Sequence, residues 1–497
     1  MAIGAFLLFL GTAAYYNIPT PEVLNTRFGW EYGNIAETLV EGKGFANTFG
    51  ADSGPTAWMP PLFVLLLAGT FYFFGIKSIA AMWAIFLIKY IALAASLALL
   101  LSTAGRVGFH KYRYLLAILF LMPIYFNRDV FFRSLHDDWL NLFLACLMIH
   151  TFAIQGTDGI STINTLRLCI LAVVLPFTNP ALALAFAVAE GGVTLSHSLS
   201  GASLQRRWLS CFAVFGFLAA STLLWTYRNY QVFGRVIPIK SNFWFDFYQA
   251  NSMDDDGLIT NETFARYHPI NKNDIQAKYL IEGETRFTEE YRRLSFEWIR
   301  AHPIQLLMNI GRRAASAFVH SHYVEDILPV NPDKVSLQNI ERLRRDQLIF
   351  VDDSSVAFWI SLSIPQSEFE DRIRDLDLSG EASILQDWSE QREHLNRRRR
   401  SWRIILKSLS LSLVPSLCIL VGLILEGIRK TPLFSAAVTI YLTYLAPYIL
   451  TSHYRRYQVP LIGMQSILLF LILCFILERF PFSKIPVLDR LLPGPRQ

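Results

Sequence analysis

The sequence predicts an all-α polytopic membrane protein with about ten transmembrane helices. Of its 497 residues, 53% are hydrophobic and only 17% are charged. Several apolar runs approach the roughly 20 residues that a helix needs to cross the hydrocarbon core. A soluble chain of this length carries more charge and fewer long apolar runs. The mean hydropathy of +0.34 agrees with a membrane protein.

The expected spans form two groups, on either side of a long polar segment. The first span covers residues 3–16 and has no charged region before it and no small-residue cleavage site after it, which favours a transmembrane helix over a signal peptide. The others are expected near residues 79–102, 113–127, 139–153, 163–178, 180–196, 208–226, 403–426, 432–450 and 459–478.

A short apolar run at residues 61–75 allows two interpretations. It begins at Pro60-Pro61 and ends at Gly75. If it spans the membrane, the basic loop 105–113 lies outside. If it is a juxtamembrane helix along the interface, the basic loops face the cytoplasm, as the positive-inside rule requires. We favour the juxtamembrane helix, with both termini cytoplasmic and the polar segments on the periplasmic face of an inner (plasma) membrane.

The chain is expected to divide into three parts. Residues 1–227 form an N-terminal transmembrane module whose first outer loop, residues 17–78, carries juxtamembrane helices and the catalytic acid. Residues 228–402 hold most of the charge and form a mostly helical extracytoplasmic domain. Residues 403–497 hold the last transmembrane helices and a short cytoplasmic tail. Amphipathic helices of the outer domain are expected near residues 285–300, 303–319 and 335–348.

Several classes of function are disfavoured by missing motifs. The sequence has no P-loop, no GxGxxG that follows a strand and no GxSxG, so nothing in it indicates nucleotide or serine acyl chemistry. The net charge of +5 is spread along the chain, without a basic block that indicates nucleic acid. All five cysteines lie in apolar runs, which supports neither a disulfide framework nor a Cys-based metal site.

Three acidic residues beside expected spans are the candidate catalytic groups. Glu31 follows the first span, and Asp137 and Asp138 open the helix expected at residue 139. A carboxylate at the bilayer edge is costly unless it is solvated, paired or functional. The alternative for Glu31 is a solvated interfacial charge, and the alternative for the aspartates is capping of the helix N-terminus. The sequence does not choose between Asp137 and Asp138.

Basic residues on the same face are candidates for holding a phosphate. Arg455 and Arg456 precede the last span beside Tyr457, and Arg228 follows the span that ends near residue 226. Arginine forks match phosphate oxygens with two hydrogen bonds. The alternative is that these side chains anchor helices among lipid headgroups. The positive-inside rule does not predict an outer Arg pair, which favours the phosphate site.

Other residues of the same polar clusters are candidates for contacting substrate. They are His136, Trp58, Tyr230 and His453. Lone histidines more often make local hydrogen bonds than bind metals, and the histidine spacing forms no metal signature. The metal requirement stays open, with a divalent cation (Mg²⁺ or Mn²⁺) as one way to bridge an acid and a phosphate.

The order of these motifs resembles the GT-C superfamily of membrane glycosyltransferases. The chain is similar to bacterial relatives of protein O-mannosyltransferases and of lipid A aminoarabinose transferases, over residues 1–240 and the last pair of spans. The matching residues are Glu31, Ile35-Ala36, Gly42-Lys43-Gly44-Phe45, Gly54-Pro55-Thr56-Ala57-Trp58, Pro60-Pro61, Arg228-Asn229-Tyr230, Phe233-Gly234, Pro238, Arg456-Tyr457 and Pro460.

The resemblance implies an inverting transfer of a sugar from a polyprenyl-phosphate carrier to an acceptor hydroxyl at the extracytoplasmic membrane face. The acceptor class (glycan, lipid or protein) stays open. In this superfamily the first outer loop carries an essential acid, usually Asp. Here Trp30-Glu31 stands at that place, so Glu31 is the expected equivalent. A second acid precedes a later span, where Asp137 and Asp138 both fit.

Other classes of membrane protein remain as alternatives. An O-antigen-type polymerase or ligase also has many spans and outer arginines, but is not expected to share the pattern from Glu31 to Pro61. A transporter of polyprenyl-linked lipids is expected to carry polar residues inside its spans. Here such residues are few, Lys89 and Glu190 among them. A non-catalytic scaffold would be insensitive to the loss of Glu31.

Overall fold

A computed structural model gives the structure of the chain, and helices dominate it. It describes residues 1–16, 28–50, 52–127, 129–198, 204–253, 257–270, 272–319, 327–330, 349–352, 357–361, 390 and 411–479.

The helices fall into three groups along the chain. The first group is α1 (Ala2–Tyr16), α2 (Trp30–Val40), α3 (Pro61–Phe74), α4 (Ile79–Arg106), α5 (Arg113–Phe126), α6 (Asp138–Asp158), α7 (Thr162–Val174), α8 (Pro180–Ser198) and α9 (Leu204–Phe233). The middle group is α10 (Phe243–Tyr248), α11 (Asn261–Tyr267), α12 (Asn273–Ala301) and α13 (Pro303–Phe318). The last is α14 (Leu413–Ile424), α15 (Glu426–Arg429), α16 (Pro432–Leu450) and α17 (Ile462–Arg479), with a 3-10 helix at Arg455–Leu461.

Five described helices are long and apolar enough to cross a membrane. They are Ile79–Arg106, Asp138–Asp158, Gln205–Phe233, Pro432–Leu450 and Arg456–Arg479. Shorter apolar helices are Ala2–Ala14, Pro61–Phe74, Thr162–Val174, Pro180–Ser196 and Leu413–Ile424. These helices support the class of multi-span membrane protein, whereas the number ten stays a prediction.

The run at residues 61–75 forms a separate short helix, α3. Pro61 occupies its first turn, where a missing N–H costs nothing, and Gly75 ends it with φ of +96°. Its 14 residues are about 21 Å long, shorter than the roughly 30 Å of a bilayer core. Helix α3 packs on both α2 and α4, and its placement in an outer loop stays a prediction.

Helix α6 lies at the centre of the bundle and packs against α4, α16 and α17. A Cβ at Gly463 would collide with Cys146 Sγ, so glycine allows α17 to approach α6 closely. Helix α9 lies at the periphery, where Leu209, Phe212 and Leu223 are each more than 60% exposed. An apolar outer face of this kind suits contact with lipid.

The segment after α9 is helical where two of the three amphipathic helices were predicted. Helix α12, which kinks at Gly283, covers the helix predicted near residues 285–300. Helix α13 matches the helix predicted near residues 303–319. The third, near residues 335–348, lies outside the described residues. Three short antiparallel strands, rich in aromatic and β-branched residues, were not predicted. They are β1 (Ile327–Val330), β2 (Ile349–Asp352) and β3 (Ala357–Ser361), in the order β1-β3-β2.

A buried carboxylate joins this segment to the first outer loop. Glu284 of α12 accepts hydrogen bonds from Thr56 Oγ1 at 2.5 Å, from the Ala57 backbone N–H at 2.7 Å and from Tyr279 Oη at 2.7 Å. Three donors satisfy a carboxylate that is otherwise costly to bury. The joint fixes the first outer loop beside the segment that follows α9.

Candidate active site

A cavity of about 830 Å³ lies at one end of the bundle, where α6 and α8 begin and α16 ends. The first outer loop, the segment after α9 and the 3-10 helix before α17 complete its wall. The residues predicted from the sequence that line it are Trp58, Glu31, His136, Asp137, Asp138, Arg456 and Tyr457. The structure therefore brings together side chains that are up to 426 positions apart in the chain.

Glu31, in the first turn of α2, is held as a carboxylate. Its Oε1 lies 3.1 Å from His268 Nε2, and its side chain is 15% exposed. Burial acts to raise the pKa of Glu31, but the hydrogen bond with His268 and the charges of Arg456 and Lys240 bring that pKa below its ordinary value. An ionised carboxylate facing a cavity is able to accept a proton from a bound hydroxyl.

The turn before α2 is shaped by its contact with His136. Gly29 has φ of +73°, and a Cβ there would lie 3.0 Å from His136 Nδ1. Glycine alone combines this backbone conformation with so close an approach. Burial, followed by the charges of Arg456 and Lys89, places the pKa of His136 well below its usual value. His136 therefore lines the cavity as a neutral ring.

Asp137, Asp138 and Arg456 form a charged cluster across the cavity wall. Arg456 Nε donates to Asp138 Oδ1 at 3.1 Å, and its Nη2 lies 3.7 Å from Asp137 Oδ1. Asn141 donates to Asp137 Oδ2 at 2.8 Å. The Asp137 side chain makes no capping hydrogen bond, so the capping alternative does not describe it. Asp138 Oδ2 is buried without a hydrogen-bond partner in the described part of the chain.

Two aromatic residues form parts of the wall. The Tyr457 ring stacks on Tyr448, with centroids 4.2 Å apart. Trp58 is 1% exposed and packs against Phe49 and Phe245, at centroid distances of 5.0 and 5.5 Å. Trp58 therefore serves mainly as a core residue whose edge reaches the cavity, rather than as a free platform for a sugar.

The cavity residues that were not predicted from the sequence include Lys240, Asp246 and His268. Burial raises the pKa of Asp246 to about 6; Lys240 opposes the rise, and Glu31 adds to it. None of the three belongs to a recognisable motif. A nearby sequence pattern is the aromatic run from Phe243 to Tyr248, which indicates a buried, packed segment that contains Asp246.

Arg228 does not line the cavity, although the sequence predicted it to bind phosphate. Its guanidinium donates to the backbone carbonyls of Thr56 at 2.8 Å and Phe45 at 3.1 Å, and lies 5.2 Å from the Trp225 ring centroid. Arginine forks satisfy backbone carbonyls as well as phosphates. Arg228 thus ties α9 to the first outer loop, and we withdraw it as a phosphate ligand.

Three further predicted residues are not placed at the cavity by the structure. Tyr230 is 51% exposed on α9. His453 is buried but does not line the cavity; burial, followed by the charge of Arg313, lowers its pKa to about 4. Arg455 opens the 3-10 helix, and its side chain lies outside the described residues. Tyr230 and His453 are therefore withdrawn as substrate contacts.

The metal requirement, which the sequence left open, is not decided by the described ranges. Within them, no group of three or more His, Cys, Asp or Glu side chains is arranged to hold a metal ion. The closest acids, Asp137 and Asp138, already share Arg456.

Comparison with known proteins yields no relative. No known protein family, curated protein or solved structure matches the chain. The geometry and chemistry of the cavity are therefore the basis for assigning a function.

Proposed function

We propose that the protein is an inverting glycosyltransferase that moves a sugar from a polyprenyl-phosphate carrier to an acceptor hydroxyl. The observation that carries the proposal is one cavity that combines an ionised carboxylate, Glu31, with an arginine, Arg456, at the end of a bundle of apolar helices. A base and a cation are the two groups that displacement of a phosphate from a sugar requires.

Glu31 is the proposed general base. The acceptor hydroxyl attacks the anomeric carbon from the face opposite the phosphate, and its proton passes to Glu31. The new glycosidic bond forms as the bond from the anomeric carbon to the phosphate oxygen breaks, which inverts the configuration. The leaving group is the polyprenyl phosphate anion.

Arg456 and Lys240 are the proposed cations for the leaving phosphate. The hydrogen bond from Arg456 Nε to Asp138 uses one of the five N–H donors of the guanidinium. Asp137 and Asp138 hold the guanidinium in a fixed direction, so little reorganisation is needed when the phosphate charge develops. One good charge-stabilising contact contributes about 3 kcal/mol, or roughly a hundredfold in rate.

A donor dissolved in the membrane fits the position of the cavity. Asn179, Pro180 and Ala181 at the start of α8 line it, beside Tyr444 and Tyr448 of α16, whose hydroxyls accept hydrogen bonds from Asn179 at 3.5 and 3.3 Å. Both helices are apolar. A lipid-linked donor is thus able to reach the cavity while its chain stays among apolar helices.

The charge distribution supports an extracytoplasmic cavity. Helix α6 begins at the cavity, and at its other end Asp158 pairs with Arg106 at 2.8 Å. Lys111 and Arg429 also lie near helix ends away from the cavity. If these basic ends face the cytoplasm, as the positive-inside rule favours, the cavity faces outward. A GT-C-like arrangement of ten spans in an inner membrane is part of this proposal.

The test is donor turnover by the purified protein in nanodiscs. A panel of radiolabelled polyprenyl-phosphate sugars is compared with the corresponding nucleotide sugars, with empty nanodiscs as the control. We expect transfer or slow hydrolysis of at least one lipid-linked donor and of no nucleotide sugar. Turnover of nucleotide sugars alone would refute the donor class, and turnover of neither would refute the proposed enzyme.

A further inference from the structure

We propose that His268 is the positioning residue for Glu31, and that it holds this carboxylate ionised and aimed into the cavity. This inference rests on the proposed function, in which Glu31 is the base. Because His268 directly follows α11, the ability of Glu31 to act as a base then depends on the segment between α9 and α12.

The hydrogen bonds of the imidazole make it a donor to Glu31. His268 Nε2 lies 3.1 Å from Glu31 Oε1, with side-chain exposures of 6% and 15%. On the opposite side of the ring, Nδ1 accepts the backbone N–H of Ile270 at 3.4 Å. A ring whose Nδ1 accepts carries its proton on Nε2, so His268 donates to Glu31.

The His268 ring has no freedom to turn away from Glu31. It packs edge-on against Phe264 at 5.4 Å, Phe49 at 5.6 Å and Phe245 at 6.4 Å between centroids. These three aromatic residues come from α11, the first outer loop and α10. The imidazole is therefore fixed in direction by parts of the chain that all border the cavity.

The ionisation of Glu31 depends on a balance between burial and the surrounding charges. Arg456 and Lys240 favour its ionised form, burial disfavours it, and Asp246 is a second acid within electrostatic reach. Among the interactions that lower the pKa of Glu31, the hydrogen bond with His268 is the strongest. Without that bond the burial cost is opposed by more distant cations alone, so Glu31 protonates at higher pH.

The local structure explains how His268 reaches this position. Thr260 and Thr263 form a capping box that starts α11, and the helix ends at Tyr267, one residue before His268. The backbone N–H of Ile259 donates to the His453 carbonyl at 3.0 Å, which anchors the start of this segment to the loop before α17. A one-turn displacement of α11 would remove the donor from Glu31.

The test compares His268→Phe, which removes the donor but keeps a ring, with His268→Gln, whose amide nitrogen replaces Nε2. His268→Met is a second donor-free variant with an adaptable side chain, in case Phe does not fit. His302→Phe is the matched control, since His302 is exposed and stacks on Trp298. Two readouts are taken between about pH 3 and pH 8, a range that starts well below the ordinary pKa of a carboxyl group: carbodiimide labelling of Glu31 by mass spectrometry, and kcat/KM for the donor.

We expect the donor-free variants to label Glu31 up to a higher pH than the wild type does, because labelling requires the protonated acid. The acid limb of kcat/KM should move in the same direction, and activity at about pH 7 should fall about tenfold to a hundredfold, as expected for one lost hydrogen bond to a charged group. His268→Gln and His302→Phe should keep the wild-type midpoints.

An unchanged labelling midpoint in the donor-free variants would overturn the inference, whatever the turnover shows. A midpoint that rises equally in His268→Gln would also overturn it, because a generic disturbance would then explain the change. A midpoint that rises only in the donor-free variants, while no form of the protein turns over a donor, would support the role of His268 at Glu31 and overturn the proposed enzyme.

Discussion

The pairing of Arg456 with Asp137 and Asp138 predicts that a change at Arg456 affects folding and turnover separately. The perturbation is Arg456→Gln, alone and combined with Asp138→Asn, with Arg456→Lys as the charge-preserving comparison. The Arg456 side chain is 26% exposed, and those of Asp137 and Asp138 are 10% and 7% exposed. Loss of the arginine thus leaves two nearly buried acids without their cation.

The magnitude follows from the distances. At 3.1 Å from Arg456 Nε to Asp138 Oδ1, the gross attraction is about 5 kcal/mol at an effective dielectric constant of roughly 20. Breaking a fully buried pair costs about 3–5 kcal/mol. Because Arg456 also faces the cavity, we expect Arg456→Gln to lower the free energy of unfolding by about 1–3 kcal/mol. The double variant should recover part of that loss, because Asp137 then remains as the single acid without its cation.

The assay measures both quantities on the same samples. Thermal unfolding in nanodiscs at about pH 7.5 reports stability, and donor turnover well below the unfolding transition reports kcat. We expect Arg456→Gln to lower kcat by about a hundredfold, the value of one charge-stabilising contact. Arg456→Lys should keep most of the stability and lose part of the rate, because an ammonium lacks the planar fork.

Two results would refute this reasoning. Near wild-type kcat in folded Arg456→Gln would remove the guanidinium from catalysis. Additive stability losses in the double variant would show that the ion pair contributes nothing to folding.

Two further predictions concern the segment after α9. Asp246→Asn should raise the unfolding temperature at about pH 7.5 but not at about pH 4. Burial raises the pKa of Asp246 in the folded state to about 6 from 3.8. The wild type therefore loses up to about 3 kcal/mol of stability as the pH rises from the lower of these pKa values to the higher. Equal shifts at both pH values would contradict it. Glu284→Gln should cost about 1–3 kcal/mol, because its one carbonyl oxygen cannot replace both carboxylate oxygens, which accept from Thr56, Ala57 and Tyr279. Limited proteolysis should then cut the first outer loop faster, and an unchanged unfolding temperature would contradict this role.

The helices were largely predictable because length and apolar content determine them. The predicted run at 79–102 lies within α4. The run at 61–75 matches α3, because Pro61 starts this helix and Gly75 ends it. The strands at residues 327–361 were not predictable from alternation, because each has five residues or fewer.

The site was predictable where a charged residue abuts a helix end. Glu31, Asp138 and Arg456 share one cavity because α2, α6 and the 3-10 helix before α17 begin on the same side of the bundle. The same expectation failed for Arg228, because sequence position does not fix side-chain direction, and its guanidinium turns to backbone carbonyls.

His268 and Asp246 were not predictable for a different reason. Both lie in a segment without a recognisable motif, and their relation to Glu31 arises only when α10 and α11 fold against the first outer loop. An acid of the first loop and its hydrogen-bond donor are separated by 237 positions, from Glu31 to His268. Local patterns carry no information on such a pair.

The proposed role of Glu31 as the base on a lipid-linked donor is tested most directly by a single-turnover rate. Glu31→Gln is measured with the donor found in the panel, beside Glu37→Gln. Glu37 lies on the same helix, pairs with Lys77 at 2.7 Å and does not line the cavity. We predict a rate at least about a hundredfold lower for Glu31→Gln, as for loss of a general base, and a wild-type rate for Glu37→Gln. Equal rates for the two folded variants would contradict the account.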